Sequence, residues 1–363
     1  MVMKDKLRVG SLFAGVGGIC RAFEEAGTEL IWANEIDKNA CITYRENFEH
    51  KLFEDDIHNL TKTENIDQFE PVDIVTSGFP CQAFSIAGYQ KGFNDPRGNL
   101  FFETAKIIDY LRPKAFLLEN VRNLVSHDKG RTFQVIRDVI INRLNYSFIP
   151  FVLNTMDYGN IPQTRERIYI VGFKDEAKYD NFNGKFQQYN IKIEDEYRIL
   201  MNNRSKTGIK TLDFRIPEPK KLTFSIEDML DKDKQDDYYY YSEDSRYYQK
   251  LSESIISKET IYQLRRTYVR ENKSMVCPTL TANMGTGGHN VPLIKDNHGI
   301  RKLTPRECFR FQGFDDGFLL PNIARSHLYK QAGNAVTVSV VKRIAEEIVN
   351  VSEVKQYVLN LAK

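Results

Sequence analysis

The sequence lacks several features that would each have named a class. It has no run of about 18 apolar residues, so no membrane-spanning helix is expected. Its charged first stretch, residues 1–8, leads into a strand-like run and lacks the form of a signal peptide. The five cysteines, Cys20, Cys41, Cys81, Cys277 and Cys308, are odd in number and nowhere spaced as CxxC. That argues against a disulfide framework and against a metal site, and for a reducing, cytoplasmic setting. Net charge is also lacking: 51 Lys and Arg against 49 Asp and Glu leave +2. So small a balance neither demands nor excludes nucleic acid, because a basic cleft can coexist with acidic surfaces.

The length is more informative. At 363 residues, 41% of them hydrophobic, the chain exceeds one ordinary core, so a large domain plus a smaller one is expected. Residues 7–13 read as a first strand, followed by Ala14-Gly15-Val16-Gly17-Gly18 and a helix over 21–26. A glycine-rich passage from strand to helix lets the backbone approach a ligand. A second strand, 29–33, ends at Asn34-Glu35, about 20 residues past the first glycine, where a carboxylate can take ribose hydroxyls. The third glycine of the dinucleotide fingerprint is missing, so a nicotinamide is not favoured over another adenosine-bearing cofactor. A helix is expected over 37–48, and Asp55-Asp56-Ile57 then offers carboxylates that could meet an exocyclic amine.

Residues 72–76 read as a buried strand, running into Gly78-Phe79-Pro80-Cys81-Gln82. A cysteine just past a strand's carboxyl end sits where open α/β sheets place ligands, although an isolated cysteine is as readily a small core residue. Residues 83–100 are polar and glycine-punctuated, with the length of a closing loop. A helix over 100–111 and a buried strand over 115–118 follow, the strand ending in Glu119-Asn120-Val121. A carboxyl group beside such an apolar run should have a raised pKa, which makes Glu119 a candidate acid. After a helix over 132–144, strands over 148–154 and 167–173 flank Gln163-Thr164-Arg165-Glu166-Arg167. Arg165 and Arg167 lie close together on an extended segment, where one can enter a pocket while the other is fixed by packing or phosphate.

From about 174 the composition turns polar. The glycine-rich stretch from Pro278 through Thr279, Thr281 and Asn283 to Asn290 could touch base edges or phosphates, with Arg265, Arg266 and Arg270 upstream. Thr304, Pro305 and Glu307 form a helix-starting box, and Gln331-Ala332-Gly333-Asn334-Ala335-Val336 leads into a final apolar-faced helix, 338–349.

Taken together, FAGVGG, NEID, DDI, GFPCQAFSIAG, RGNLFF, ENV, QTRERIYIVGF, RKLTPRECFRFQGF and QAGNAV resemble the DNA (cytosine-5)-methyltransferases of bacterial restriction–modification systems. The matching stretches keep the family's order and cover about two thirds of the chain. The resemblance implies an α/β fold, a Rossmann-like S-adenosylmethionine-dependent methyltransferase domain with a mixed sheet. That large domain would comprise 1–175 and 300–363, with a smaller target-recognition domain over 176–299. It implies a covalent Cys81 thiolate, an acid at Glu119, and Arg165 and Arg167 holding the base oxygen and the thiol, Arg167 at the oxygen.

S-adenosylmethionine, leaving as S-adenosylhomocysteine, would lie along Phe13, Gly15, Gly17, Glu35, Ile36, Asp56, Ile57, Pro80, Leu100, Asn334 and Val336. Contacts to double-stranded DNA, with the target cytosine flipped out, would come from Gln82, Ser85, Arg97, Thr279, Thr281 and Asn283. A monomer is expected, with no stable complex even where a cognate endonuclease acts at the same site. Rival readings are the same chemistry on RNA, whose branch usually carries a Cys-Phe-Thr signature not found here, a nicotinamide oxidoreductase, or a non-catalytic DNA-binding regulator.

Overall fold

The computed structural model describes residues 5–80, 100–174, 214–286 and 290–361. Cys81, Gln82, Ser85 and Arg97 therefore lie outside the described residues, as does the expected closing loop.

A seven-stranded sheet forms the centre, in the order β3-β2-β1-β4-β5-β7-β6. Its strands are β1 (Arg8–Leu12), β2 (Glu29–Asn34), β3 (Lys51–Phe53), β4 (Ile74–Ser77), β5 (Ala115–Val121), β6 (Ser147–Asn154) and β7 (Glu166–Phe173). The first five run parallel, while β7 is antiparallel to both its neighbours, β5 and β6. The mixed sheet thus matches the sequence reading. The central strand β4 and the first four residues of β5 are buried on both faces, as strands covered by layers on both sides should be. Along β5, Ala115 and Leu117 enter one core layer while Phe116 and Leu118 enter the other.

One layer contains helix α1 (Gly18–Glu25) and the C-terminal helix α10 (Val338–Leu361), which Lys342 ties to Glu25 at 3.1 Å. The opposite layer is built on α4 (Leu100–Leu111) and α5 (Arg131–Asp138). Short helices α2 (Lys38–Arg45) and α3 (Ile57–Leu60) follow β2 and β3, each capped by an aspartate accepting main-chain N–H groups: Asp37 and Asp56.

Helix boundaries differ from the sequence reading where the backbone does something special. Helix α1 starts at Gly18, three residues earlier than expected, because Gly17 at φ 91° turns the chain directly into it. The expected 37–48 helix ends at Arg45, and the 132–144 helix passes from α into a π-helical turn at Val139–Arg143.

A four-stranded antiparallel sheet, order β11-β10-β8-β9, is built from β8 (Tyr262–Leu264), β9 (Val269–Glu271), β10 (Leu293–Lys295) and β11 (Ile300–Lys302). It has its own small core around Leu251, Ile255 and Leu293, with Leu251 on helix α7 (Tyr248–Ser254), while a single-turn helix α6 (Thr155–Tyr158) follows β6 in the large sheet. Leu280, Met284, Ile294 and Leu303 nonetheless join the large core layer, so the two sheets share packing. Helix α8 (Pro305–Arg310) opens with the expected capping box between Thr304 and Glu307. Among the described residues no helix is long and apolar enough to cross a membrane, and no group of three or more His, Cys, Asp or Glu could hold a metal ion.

Candidate active site

The strand order reverses between β1 and β4, and the crevice at the carboxyl ends of strands flanking such a point is where doubly wound sheets bind ligands. A cavity of about 630 Å³ lies there. Of the eleven residues expected to hold a cofactor, ten line it: Phe13 and Gly15 from the β1 turn, Glu35 and Ile36 after β2, Asp56 and Ile57 at α3, then Pro80, Leu100, Asn334 and Val336. Gly17 does not. A side-chain carbon there would meet the Phe48 ring at 2.2 Å, so this glycine is required by packing and by its left-handed backbone.

Glu35 is fixed before any ligand arrives. Its Oε1 accepts the Ile36 and Asp37 N–H groups at 2.9 and 2.8 Å, and its Oε2 accepts the Gly15 N–H at 2.7 Å. A carboxylate has about four acceptor positions, so one remains, on Oε2, for a hydroxyl donor. Asp56 uses Oδ1 to cap α3 and to meet the His58 ring. Burial pushes its pKa up, but the His58 contacts outweigh that and hold it below the usual carboxylate range. Between these two acids Ile36 stands 60% exposed, a large apolar side chain turned to the cavity rather than the core. An apolar plate flanked by hydrogen-bond acceptors suits a nucleoside. Asn34 keeps the arrangement together by donating to the carbonyls of Phe53 and Asp55.

The far wall carries Glu119 and Arg167. Arg167 Nε lies 3.1 Å from Glu119 Oε1, with the two side chains only 15% and 12% exposed. Burial raises the Glu119 pKa above the ordinary carboxyl value, against the opposing pull of Arg167 and then Arg165. The site therefore holds a carboxyl group prone to keep its proton, beside a cation able to grip an oxygen. Asn120 had no role assigned from the sequence. Its amide donates to the Phe79 carbonyl at 2.8 Å, anchoring the chain just before Pro80. A polar residue ending an otherwise apolar strand was the available signal.

Arg165 goes the other way. It is 2% exposed, absent from the cavity wall, and donates to the carbonyls of Leu280, Gly333 and Ala335 at 2.8, 3.1 and 2.6 Å. Burial brings its pKa down to about 9, which still leaves it charged near neutrality. Gln163, wholly buried, donates to the Phe311 carbonyl at 2.5 Å and accepts from the Leu280 N–H at 3.1 Å. The two side chains join the segment leading into β7 to Leu280 and to the C-terminal part of the cavity, leaving Arg167 alone of the arginine pair in the pocket.

In the stretch that follows Pro278, Thr281 and Asn283 are exposed, whereas the Thr279 hydroxyl donates to the Thr164 carbonyl at 2.5 Å. The stretch folds as a short 3-10 turn, Ala282–Thr286, pressed onto helix α9 (Arg325–Asn334). The approach is backbone to backbone: a side-chain carbon at Gly333 would lie 2.2 Å from the Thr281 carbonyl carbon.

Comparison with known proteins agrees with this geometry. A family model described as C-5 cytosine-specific DNA methylase matches residues 7–350. The Type II methyltransferase M.Bsp6I of Bacillus sp. (strain RFL6) is 53% identical over 346 residues, covering 94% of this chain and 98% of that protein. M.HhaI, a Type II methyltransferase of Haemophilus parahaemolyticus, is 36% identical, covering 98% and 99%. Among solved structures, a mutant of Spodoptera frugiperda DNMT2 superposes with a TM-score of 0.63 over 96% of this chain and 99% of that one, at 20% identity that bears on fold alone. A match running through the cavity and on to residue 350 leaves one conclusion: the chain belongs to the C-5 cytosine-specific DNA methylase family.

Proposed function

We propose that this protein transfers a methyl group to carbon 5 of a cytosine flipped out of a short specific duplex DNA site, in the cytoplasm and as a monomer. Its biological setting would be restriction–modification, where methylation shields host DNA from an endonuclease that cuts the same site without binding this chain stably. The observation that carries the reading is the Glu119–Arg167 pair, on the wall of the cavity that also holds Glu35 and Asp56.

The cavity residues fit S-adenosylmethionine: the remaining acceptor of Glu35 suits a ribose hydroxyl, Asp56 an adenine amine, and Ile36 the face of the base. That cofactor, when bound, supplies an electrophilic methyl carbon and leaves as S-adenosylhomocysteine. The chain's own residues must make carbon 5 of cytosine a nucleophile, which it is not in the free base. Cys81 follows directly on Pro80, and as a thiolate it would add to carbon 6. Electrons then move toward ring nitrogen 3, where Glu119 in its acid form donates a proton, leaving an enamine with electron density on carbon 5. Arg167 would hold the base oxygen and keep the ring in register. After methylation, loss of the carbon 5 proton to a base expels Cys81 as a thiolate, and nitrogen 3 returns its proton to Glu119.

The test is plasmid methylation by purified protein with S-adenosylmethionine, read by bisulfite sequencing. Methyl groups at one recurrent motif are expected. Transfer only to a structured RNA would refute the DNA substrate while keeping the chemistry. On duplex DNA containing 5-fluorocytosine, wild type should form a covalent adduct and Cys81→Ser should not. An adduct with the serine variant would refute the nucleophile.

A further inference from the structure

At the lip of the cavity, Lys330 Nζ lies 2.6 Å from Asp37 Oδ2. Asp37 entered the sequence reading only as the last residue of NEID and the first of an expected helix, and Lys330 not at all, yet each belongs to a different part of the machinery. Asp37 is continuous with the nucleoside cradle: its N–H binds Glu35 Oε1, and its Oδ1 caps helix α2 through the Asn39 and Ala40 N–H groups. Lys330 belongs to α9, the helix on which the recognition turn rests. A side-chain carbon at Gly285 would sit 2.9 Å from Lys330 Cβ and 2.4 Å from the Ser326 carbonyl, so the turn carrying exposed Asn283 lies directly on this residue. Its neighbour Gln331 strengthens the same joint, accepting from the Thr43 hydroxyl and donating to the Asn39 carbonyl, both at 2.9 Å. Among the described residues lining the cavity, the Lys and Arg side chains are Arg167 and Lys330, against five carboxylates. Arg167 faces Glu119, so Lys330 is the cation at the cofactor end.

We infer that the Lys330–Asp37 ion pair is a positioning contact through which the recognition turn and the cofactor cradle sense one another, so that DNA and cofactor bind with positive cooperativity. The inference rests on the proposed function. A displacement of the 282–286 turn by DNA moves the helix under it, and the ammonium–carboxylate contact passes the change to the segment that orients Glu35. Coupling of this kind is reciprocal. Lys330 touches neither reacting atom; it acts through Asp37.

The experiment measures the dissociation constant of S-adenosylhomocysteine, chosen because it cannot react, with and without a duplex carrying the site found by bisulfite sequencing. The readout is the ratio of the two constants, so any effect common to both states cancels. Wild type should show a ratio of about 5 or more, the low end of ordinary couplings. Lys330→Met should reduce it roughly 2- to 5-fold, the range open to a partly exposed ion pair. Asp37→Asn keeps an oxygen for the cap and should lower the ratio equally, the double variant should lower it no further, and Lys330→Arg should restore it. A ratio unchanged in Lys330→Met, or additive losses in the double variant, would overturn the inference. A wild-type ratio of one would overturn it as well. Failure of the wild type to methylate DNA at all would instead overturn the function on which it rests.

Discussion

Replacing Glu119 by Gln separates the two things this residue is asked to do. The amide keeps the size of the side chain, can still donate one N–H toward ring nitrogen 3, and can still accept from Arg167, which sits 3.1 Å away. What it cannot do is give up a proton. General acid catalysis is worth about 10²- to 10⁴-fold. Because positioning survives, the loss for Glu119→Gln should fall at the low end, about 10²-fold in kcat, or about 2.7 kcal/mol of barrier. Glu119→Ala also strips Arg167 of its partner in a site only 15% exposed, so its loss should be larger, about 10³- to 10⁴-fold. The assay is single-turnover transfer of labelled methyl to the identified duplex, across a pH range. In wild type the Glu119 limb is a fall in rate as pH rises through its raised pKa, and this limb should vanish in the Gln variant.

Stability gives a second sign. Burial raises the Glu119 pKa in the folded state, so its contribution is fully present below the unfolded value of about 4.3 and is lost as pH rises through the folded one. The Tm difference between variant and wild type should therefore move in favour of Gln with increasing pH. A Gln variant with kcat within about 3-fold of wild type, or an Ala variant no worse than Gln, would refute the acid role.

Two further predictions test the joint between the two sheets. Arg165→Met leaves the carbonyls of Leu280, Gly333 and Ala335 without their buried donor and should cost about 3–5 kcal/mol in urea denaturation, whereas Arg167→Met should lower kcat with far less effect on stability. Equal stability of Arg165→Met and wild type would refute the clamp. Gly333→Ala drives a side-chain carbon into the Thr281 carbonyl, which no rotamer change relieves, and should lower stability by roughly 1–3 kcal/mol by thermal melting.

Much of the cavity wall was legible because its signals are local. A strand, a glycine turn, a helix and an acid about 20 residues on are fixed by consecutive backbone, and the cavity indeed gathers Gly15, Glu35 and Asp56. Gly17 shows the limit: the same motif sets Gly15 on the cavity wall and Gly17 against a neighbouring ring, and only Phe48 distinguishes them. Lys330, Gln163 and the carbonyl partners of Arg165 were not legible, since their contacts span more than a hundred residues. The start of α1 was misplaced for a different reason. Amphipathic spacing locates the buried stripe of a helix, but its first turn was set by a left-handed glycine that periodicity does not register.

The antiparallel strand in an otherwise parallel sheet has a consequence for the chemistry. Strand β7 pairs with β5 so that Arg167 stands opposite Val121 and Tyr169 opposite Glu119. The amino end of β7 therefore lies beside the carboxyl end of β5, where the cavity is. Had β7 run parallel, Arg167 would sit beside Ala115 at the other edge of the sheet, about 20 Å away at roughly 3.3 Å per residue. Register matters as much as direction. Side chains alternate along a strand, so a slip of one residue would put Glu166 or Ile168 where Arg167 belongs and turn the cation away from Glu119. Pairing with β6 on the opposite edge, from Asn154↔Glu166 through Ser147↔Phe173, holds β7 on both sides and makes such a slip costly. Two identical residues nonetheless take unlike roles: Arg167, inside β7, meets the acid, while Arg165, just before the strand begins, donates to the carbonyls of Leu280, Gly333 and Ala335.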